Sequence, residues 1–239
     1  MIEKLLTRLR TYDTVSAAEE QALRDAAGEI SVFNRGDTIV KAKAEQTHSN
    51  LLLEGVVVRH KDLRDGARQM LEVSIAGDFI DLHSFTMKRL DHDIAAMSAC
   101  RILNYSHERL RALIDAHPHL GRLLWLVTMI DASIHREWML SLGRRNALSR
   151  VANLFCELRV RLGTVGLAED GGYALPLTQT DLSDLLGLTT VHVNRTLREL
   201  REQDILTFRS KSVTIHDWDR LVQAAEFDPF YLGLFKRPR

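Results

Sequence analysis

The sequence predicts an α+β chain: an N-terminal antiparallel β jelly roll with flanking helices, a long helix, and a C-terminal winged helix-turn-helix. Three observations carry that prediction. Between Ile30 and Ser106 the chain runs in short, β-branched apolar stretches punctuated by turn residues, with no sustained helical period. After Pro118 a helical period takes over. From Leu177 onward two short helical patterns meet at a glycine and lead into a strand-turn-strand pattern.

In chain order, residues 2–27 read as helical. The strand block then opens with Ile30-Ser31-Val32-Phe33, separated by Asn34-Arg35-Gly36-Asp37 from Thr38-Ile39-Val40. Glu54-Gly55 lies between Leu51-Leu52-Leu53 and Val56-Val57-Val58, and Arg64-Asp65-Gly66 divides that run from the apolar residues 70–75. Asp-Gly between two strand patterns is a hairpin signal, because a two-residue turn needs positive φ values that these residues tolerate. Short strands at this spacing suit a sandwich, barrel or small jelly roll.

Leu123, Val127, Ile130, Ile134 and Trp138 recur at helical steps, which lines them along one face of a helix of about 24 residues. The pattern asks for an apolar surface and leaves two open: the chain's own strand block, or a second copy. Asn146 to Leu162 reads as a further helix, and residues 163–176, with Gly166, Gly171 and Gly172, as a linker or hairpin. The division expected is 1–117, 118–142 and 143–239, with the boundary near Gly143.

Residues 177–200 have the spacing of a helix-turn-helix. Thr178 is placed to cap the first helix, with Asp181 three residues on as the partner in a capping box, and Leu182, Leu185 and Leu186 form its apolar side. Gly187 ends that helix where a left-handed residue is needed. Leu188 fills the corner and Thr189 caps the second helix, which turns Val193, Leu197 and Leu200 inward. Thr190, Val191, Asn194, Arg195 and Arg198 face outward, with His192 at the same end. Arg pairs with guanine and Asn with adenine in the DNA major groove, while arginines further along the helix suit phosphates. Residues 205–215 then form a hairpin whose basic tip holds Arg209 and Lys211, in reach of a DNA backbone. A structural helix pair, or one making protein contacts in a ligand sensor, is the competing reading, and loss of sequence-specific DNA binding on Arg195→Ala separates the two.

Composition narrows the function further. The 239 residues carry 32 basic and 32 acidic side chains, so any nucleic-acid contact has to come from a local patch. No stretch approaches the ~18 apolar residues of a membrane helix, and the N-terminus has no export signal, so a cytoplasmic location and no membrane contact are expected. Cys100 and Cys156 lie far apart, in apolar surroundings, and form no metal or redox pair. There is no nucleophile elbow, phosphate loop or zinc-protease motif. An enzyme is therefore not expected, nor is a cofactor or a bound metal; Asp91-His92-Asp93 reads as a solvated turn.

Residues 177–217 resemble the DNA-binding domain of the Crp/Fnr family of bacterial transcription regulators, and the order of parts over roughly 10–217 is similar to that family. Gly36-Asp37, Leu53-Glu54-Gly55-Val56 and Ala76-Gly77-Asp78-Phe79-Ile80 look like its glycine-marked jelly-roll turns. The resemblance implies a homodimer whose seam is the stripe Leu123, Val127, Ile130, Ile134 and Trp138, reading a palindrome with half-sites ~34 Å apart. It implies Arg195 as the first base reader. Val191 and Asn194 depart from the family's commonest residues, and a valine there suits a thymine methyl. RNA polymerase is a further partner if the protein activates.

Members that bind cyclic AMP carry Gly-Glu after the Gly-Asp-Phe turn and Arg-Ser further on. This chain has Asp81-Leu82 and Leu90-Asp91 there, and two aspartates repel a phosphate; Arg89, one residue away, is the cation that would have to substitute, and the signal expected is not cyclic AMP. No cysteine cluster precedes residue 30, which argues against an iron–sulfur branch. Haem ligation by one of the ten histidines is left open. An unknown small-molecule effector, with Phe79, Asp81, Leu82, His83, His135 and Arg136 around it, is the remaining expectation. The tail ends in apolar residues 227–232 and the basic Lys236-Arg237-Pro238-Arg239.

Overall fold

The computed structural model of the chain describes residues 1–169 and 171–238. It divides into two compact units: residues 1–61, 72–132 and 233–238 in one, and residues 62–71 and 133–232 in the other. Arg239 lies outside the described residues.

The first unit begins with α1 (Glu3–Tyr12) and α2 (Ala17–Asp25). The expected helical stretch is broken because Ser16 and Glu19 form a capping box: Ser16 Oγ accepts the Glu19 N–H at 3.3 Å and Glu19 accepts the Ser16 N–H at 2.9 Å. That reciprocal pair satisfies donors a fresh helix start exposes, so the chain restarts instead of continuing. Strands β1 (Ile30–Phe33), β2 (Thr38–Val40), β3 (His48–Glu54), β4 (Val56–Asp62) and β5 (Arg68–Ile75) follow. After α3 (Ser84–Met87) come β6 (Asp93–Ala96), β7 (Cys100–Ser106) and α4 (His107–Ala116).

The strands form two sheets, ordered β1-β7-β3 and β2-β6-β4-β5. Every pairing given by register is antiparallel, as a jelly roll requires. β4 and β5 are neighbours across the Asp65-Gly66 turn, where Gly66 has φ +87°. Gly55 does different work: it carries the chain from one sheet to the other at φ +98°, and a Cβ there would meet Ala99 O at 2.5 Å and Cys100 Sγ at 2.6 Å. Only glycine fits that corner. Val40, Leu52, Val57, Ile94 and Ile102 form the core between the sheets.

Helix α5 (Pro118–Arg144) has 27 residues, and its two ends contribute to different units. Its apolar stripe requires a correction. Leu123, Val127, Ile130, Ile134 and Trp138 are all buried within the chain, none more than 8% exposed, so they are not available to a second copy. The exposed apolar residues of α5 are instead Trp125 (67%), Met129 (48%), Met139 (70%) and Leu140 (50%). Helical spacing groups residues on one face but does not say what covers that face.

The second unit contains α6 (Ala147–Thr164), β8 (Ala168–Glu169), β9 (Gly172–Ala174), α7 (Gln179–Leu186) and α8 (Thr190–Glu202). It closes with β10 (Leu206–Arg209), β11 (Ser212–Ile215), α9 (Trp218–Ala225) and a 3-10 turn (Pro229–Leu232). The glycine-rich stretch forms the β8–β9 hairpin, which joins β10 and β11 in a sheet ordered β10-β11-β9-β8. The aromatic tail packs back: Phe227 lies 6.4 Å from Trp218 and 6.1 Å from Tyr231, ring centre to ring centre.

Candidate nucleic-acid interface

The interface is built from local contacts first. Thr178 Oγ1 accepts the Asp181 N–H at 3.1 Å, and the Asp181 carboxylate accepts the Thr178 N–H at 2.6 Å. Thr178 thus acts first as the cap of α7. Gly187 ends α7 in the left-handed region (φ 58°, ψ 37°), and Arg150 of α6 donates to the terminal Leu186 carbonyl at 2.8 Å and to Leu142 O and Arg145 O at 3.0 Å. Arg150 was not legible as a positioning residue, since its partners lie in three different segments.

Thr189 then caps α8 by accepting the His192 N–H at 3.3 Å, and its hydroxyl lies 3.0 Å from His192 Nδ1. Val193, Thr196, Leu197 and Leu200 are buried, which fixes the rotation of α8 about its axis. The opposite face carries Thr190, Val191, His192, Asn194, Arg195 and Arg198, all exposed. Val191 is 72% exposed, an apolar side chain held in water at the helix start. Asn194 donates one N–H of Nδ2 to Thr190 O at 2.9 Å, which leaves its second N–H and Oδ1 for two-point pairing with adenine.

Beside α8 runs a polar cleft of about 240 Å³, with Gln179, Arg198, Arg201, Thr207 and Phe208 among its walls. Gln179 and Thr207 are additions to the residues read from the sequence. The first follows Thr178 into α7, whose N-terminal N–H groups favour anions. The β10–β11 turn is a two-residue turn with Ser210 (φ 52°) and Lys211 (φ 61°) both left-handed, and it leaves Arg209 and Lys211 exposed. A helix of groove dimensions, a flanking cationic cleft and a basic hairpin tip are the parts of a winged helix.

Two family models match, the cyclic nucleotide-binding domain over residues 30–117 and the Crp-like helix-turn-helix domain over residues 149–224. The nitrogen fixation regulation protein FixK of Azorhizobium caulinodans is 30% identical over 193 residues, covering 80% of this chain and 77% of that protein. The chain belongs to the Crp/Fnr family. It is a transcription regulator of the Crp/Fnr type with a helix-turn-helix DNA-binding domain. The transcriptional activator protein FnrL of Cereibacter sphaeroides is 25% identical over 215 residues, covering 88% of this chain and 86% of that protein. The structure of FixK2 from Bradyrhizobium japonicum superposes with a TM-score of 0.75 at 26% identity, covering 83% of this chain and 96% of that one.

In the Crp/Fnr jelly roll of this chain, the expected effector residues are only partly brought together. Phe79 is buried against Tyr105, 5.3 Å between ring centres, and Leu82 is buried nearby in sequence. Asp81 is fully buried and accepts Asn50 N–H and Asn50 Nδ2 at 2.6 Å each. Burial pushes its carboxyl up to about 6, against the pull of the Asn50 hydrogen bonds and the Arg59 charge. His83 lies 5.4 Å from the His92 ring. His135 and Arg136 belong to the second unit, whereas Phe79, Asp81, Leu82 and His83 belong to the first.

The sequence reading missed a buried ion network on β4 and β5. Arg59 is 3% exposed and contacts Glu72 at 2.5 Å, Asp131 at 3.1 Å and the Ile80 carbonyl at 3.0 Å. Burial works against its charge, yet Glu72 and Asp131 outweigh that and hold the guanidinium pKa above its ordinary value. No helix among the described residues is long and apolar enough to cross a membrane.

Proposed function

We propose that the protein acts as a homodimer that reads a palindromic duplex site, in the cytoplasm and without catalysing a reaction. The observation that carries this is the division of α8: one side is buried, and the other presents Thr190, Val191, Asn194, Arg195 and Arg198 from a capped start. Arg195 is the principal base reader, by two-point contact with guanine, and Arg198, Arg201, Arg209 and Lys211 meet phosphates. Val191 gives a thymine methyl an apolar contact.

The dimer seam is the exposed row of α5 centred on Trp125, Met129, Met139 and Leu140, a length of apolar helix that one copy leaves in water. The signal at the first domain is not cyclic AMP. Arg59 is the cation on the inner strands, and Glu72 and Asp131 already neutralise it, while the buried Asp81 adds an acid where a phosphate would need a base. The name of FnrL supports activation, with RNA polymerase as the protein partner.

The test is selection of bound sequences from a random duplex pool, followed by affinity for the selected site across a salt series. An enriched palindrome whose affinity falls steeply with salt supports the reading. Arg195→Ala is expected to weaken the selected site by ~1–3 kcal/mol and to leave non-specific binding nearly unchanged. Absence of enrichment both in buffer and in cell extract overturns it.

A further inference from the structure

The first unit carries a cavity of about 340 Å³ between α3, α4 and α5. Leu82 and Phe85 form one wall, Leu110 and Ile114 another, and Leu124 and Met129 the third. Leu110 and Leu124 are buried, so the space has an apolar floor, while Trp125 and Met129 at its edge are exposed. Gly121 also lines it and adds no side chain to fill it; a Cβ there would meet Ile114 Cγ2 at 2.9 Å, so the glycine lets α4 and α5 approach closely. Few hydrogen-bonding side chains interrupt the apolar lining: His83, Thr86, Thr128 and, at the edge, the indole N–H of Trp125.

That composition, a mostly apolar hollow with a few convergent polar groups, is the make-up of a small-molecule site, and the volume falls in the ~300–1,000 Å³ range of such sites. A dry apolar cavity of ~150 Å³ already accepts one benzene ring. We infer that this cavity binds a small, mainly apolar organic molecule of one to three rings whose acceptor or anionic group meets His83. The site lies outside the strand pair where Arg59, Glu72 and Asp131 neutralise one another, and it needs no cation from that network. Its occupant touches Trp125 and Met129 on the face of α5 assigned above to the seam. It therefore biases dimer geometry only as far as it binds one arrangement better than another. That consequence rests on the proposed dimer; the binding itself does not.

The test uses the full chain and 1-anilinonaphthalene-8-sulfonate, a two-ring anionic probe with an added phenyl group that fluoresces in apolar surroundings. The expected result is saturable binding at one probe per chain, with the oligomeric state unchanged by sedimentation across the titration. Ile114→Trp and Thr128→Phe, which put aromatic rings into the cavity from α4 and α5, are each expected to weaken binding about tenfold. His83→Ala is expected to weaken it about fivefold. Circular dichroism and thermal unfolding establish that each variant is folded. Energy transfer from tryptophan to the probe serves as a second readout, and it falls in Trp125→Phe if the probe sits here. Binding that never saturates, undiminished affinity in the folded Ile114→Trp and Thr128→Phe variants, or transfer unchanged in Trp125→Phe overturns the proposal.

Discussion

Trp138 donates its indole N–H to the Glu157 carboxylate at 2.9 Å, within the second unit. Glu157 is fully buried and also accepts from Arg161 at 2.9 Å and from the Tyr231 hydroxyl at 3.0 Å. One carboxylate thus joins α5, α6 and the C-terminal turn. Glu157→Ala leaves the buried Arg161 charge without that carboxylate, and a loss of ~3–5 kcal/mol is expected. Trp138→Phe removes one charge-assisted bond and costs about 2 kcal/mol. Urea unfolding followed by circular dichroism measures both; equal, small effects would mean that the network contributes little.

The two faces of α5 separate packing from association. Trp125→Glu and Met139→Glu place charges on exposed positions, so the fold is expected to survive and the dimer to dissociate. Val127→Glu buries an unpaired charge and is expected to unfold the first unit. Sedimentation velocity beside circular dichroism distinguishes these outcomes. A dimer intact in Trp125→Glu, Met139→Glu and their combination would remove the exposed row from the seam.

The wing turn combines a backbone cost with a charge. Ser210 and Lys211 both adopt positive φ, which non-glycine residues resist. Ser210→Asn suits that turn and is expected to stabilise it by a few tenths of a kcal/mol up to ~1 kcal/mol, with no change in the salt dependence of DNA binding. Lys211→Gly relieves the same strain but lowers the slope of log affinity against log salt by ~0.9, one phosphate contact. An unchanged slope would place Lys211 off the DNA.

His119 at the start of α5 lies 2.6 Å from Glu19 and 3.2 Å from Asp13. Partial burial disfavours the charged ring, but the hydrogen bonds and charges of the two carboxylates outweigh it and raise its pKa. Burial likewise works against the charged Glu19, but the Ser16 hydrogen bonds and His119 outweigh it and lower its pKa. The His119 contribution is therefore present in full below the unfolded pKa of ~6.5 and is lost as pH rises through the higher folded value. The Glu19 contribution is present above its unfolded value of ~4.3 and is lost as pH falls through the lower folded one. Melting temperature measured from pH 5 to pH 9 is expected to fall on the alkaline side. His119→Gln is expected to flatten that fall, and an unaltered profile would assign it to other groups.

The parts of the DNA-reading unit were legible because their determinants are local. The Thr178–Asp181 box, the Gly187 stop and the Thr189 cap each act over three or four residues, and the outward row of α8 follows from the helical period alone. The strand block was legible in the same way, from turn residues between apolar runs. The inward aim of Trp138 was not, because its partner Glu157 comes from another helix. The same holds for Arg59, whose partner Asp131 lies 72 residues further on.

From its sequence alone, then, the chain shows the helix and strand ends that a turn residue or a recognised cap marks, and which side chains share a face. Those are set by backbone sterics, caps and periodicity between near neighbours. Only the tertiary structure decides which apolar face of α5 is covered, which charges are neutralised inside the first unit, and where space is left between α3, α4 and α5. Burial depends on what a distant segment places against a residue, and no local pattern encodes that.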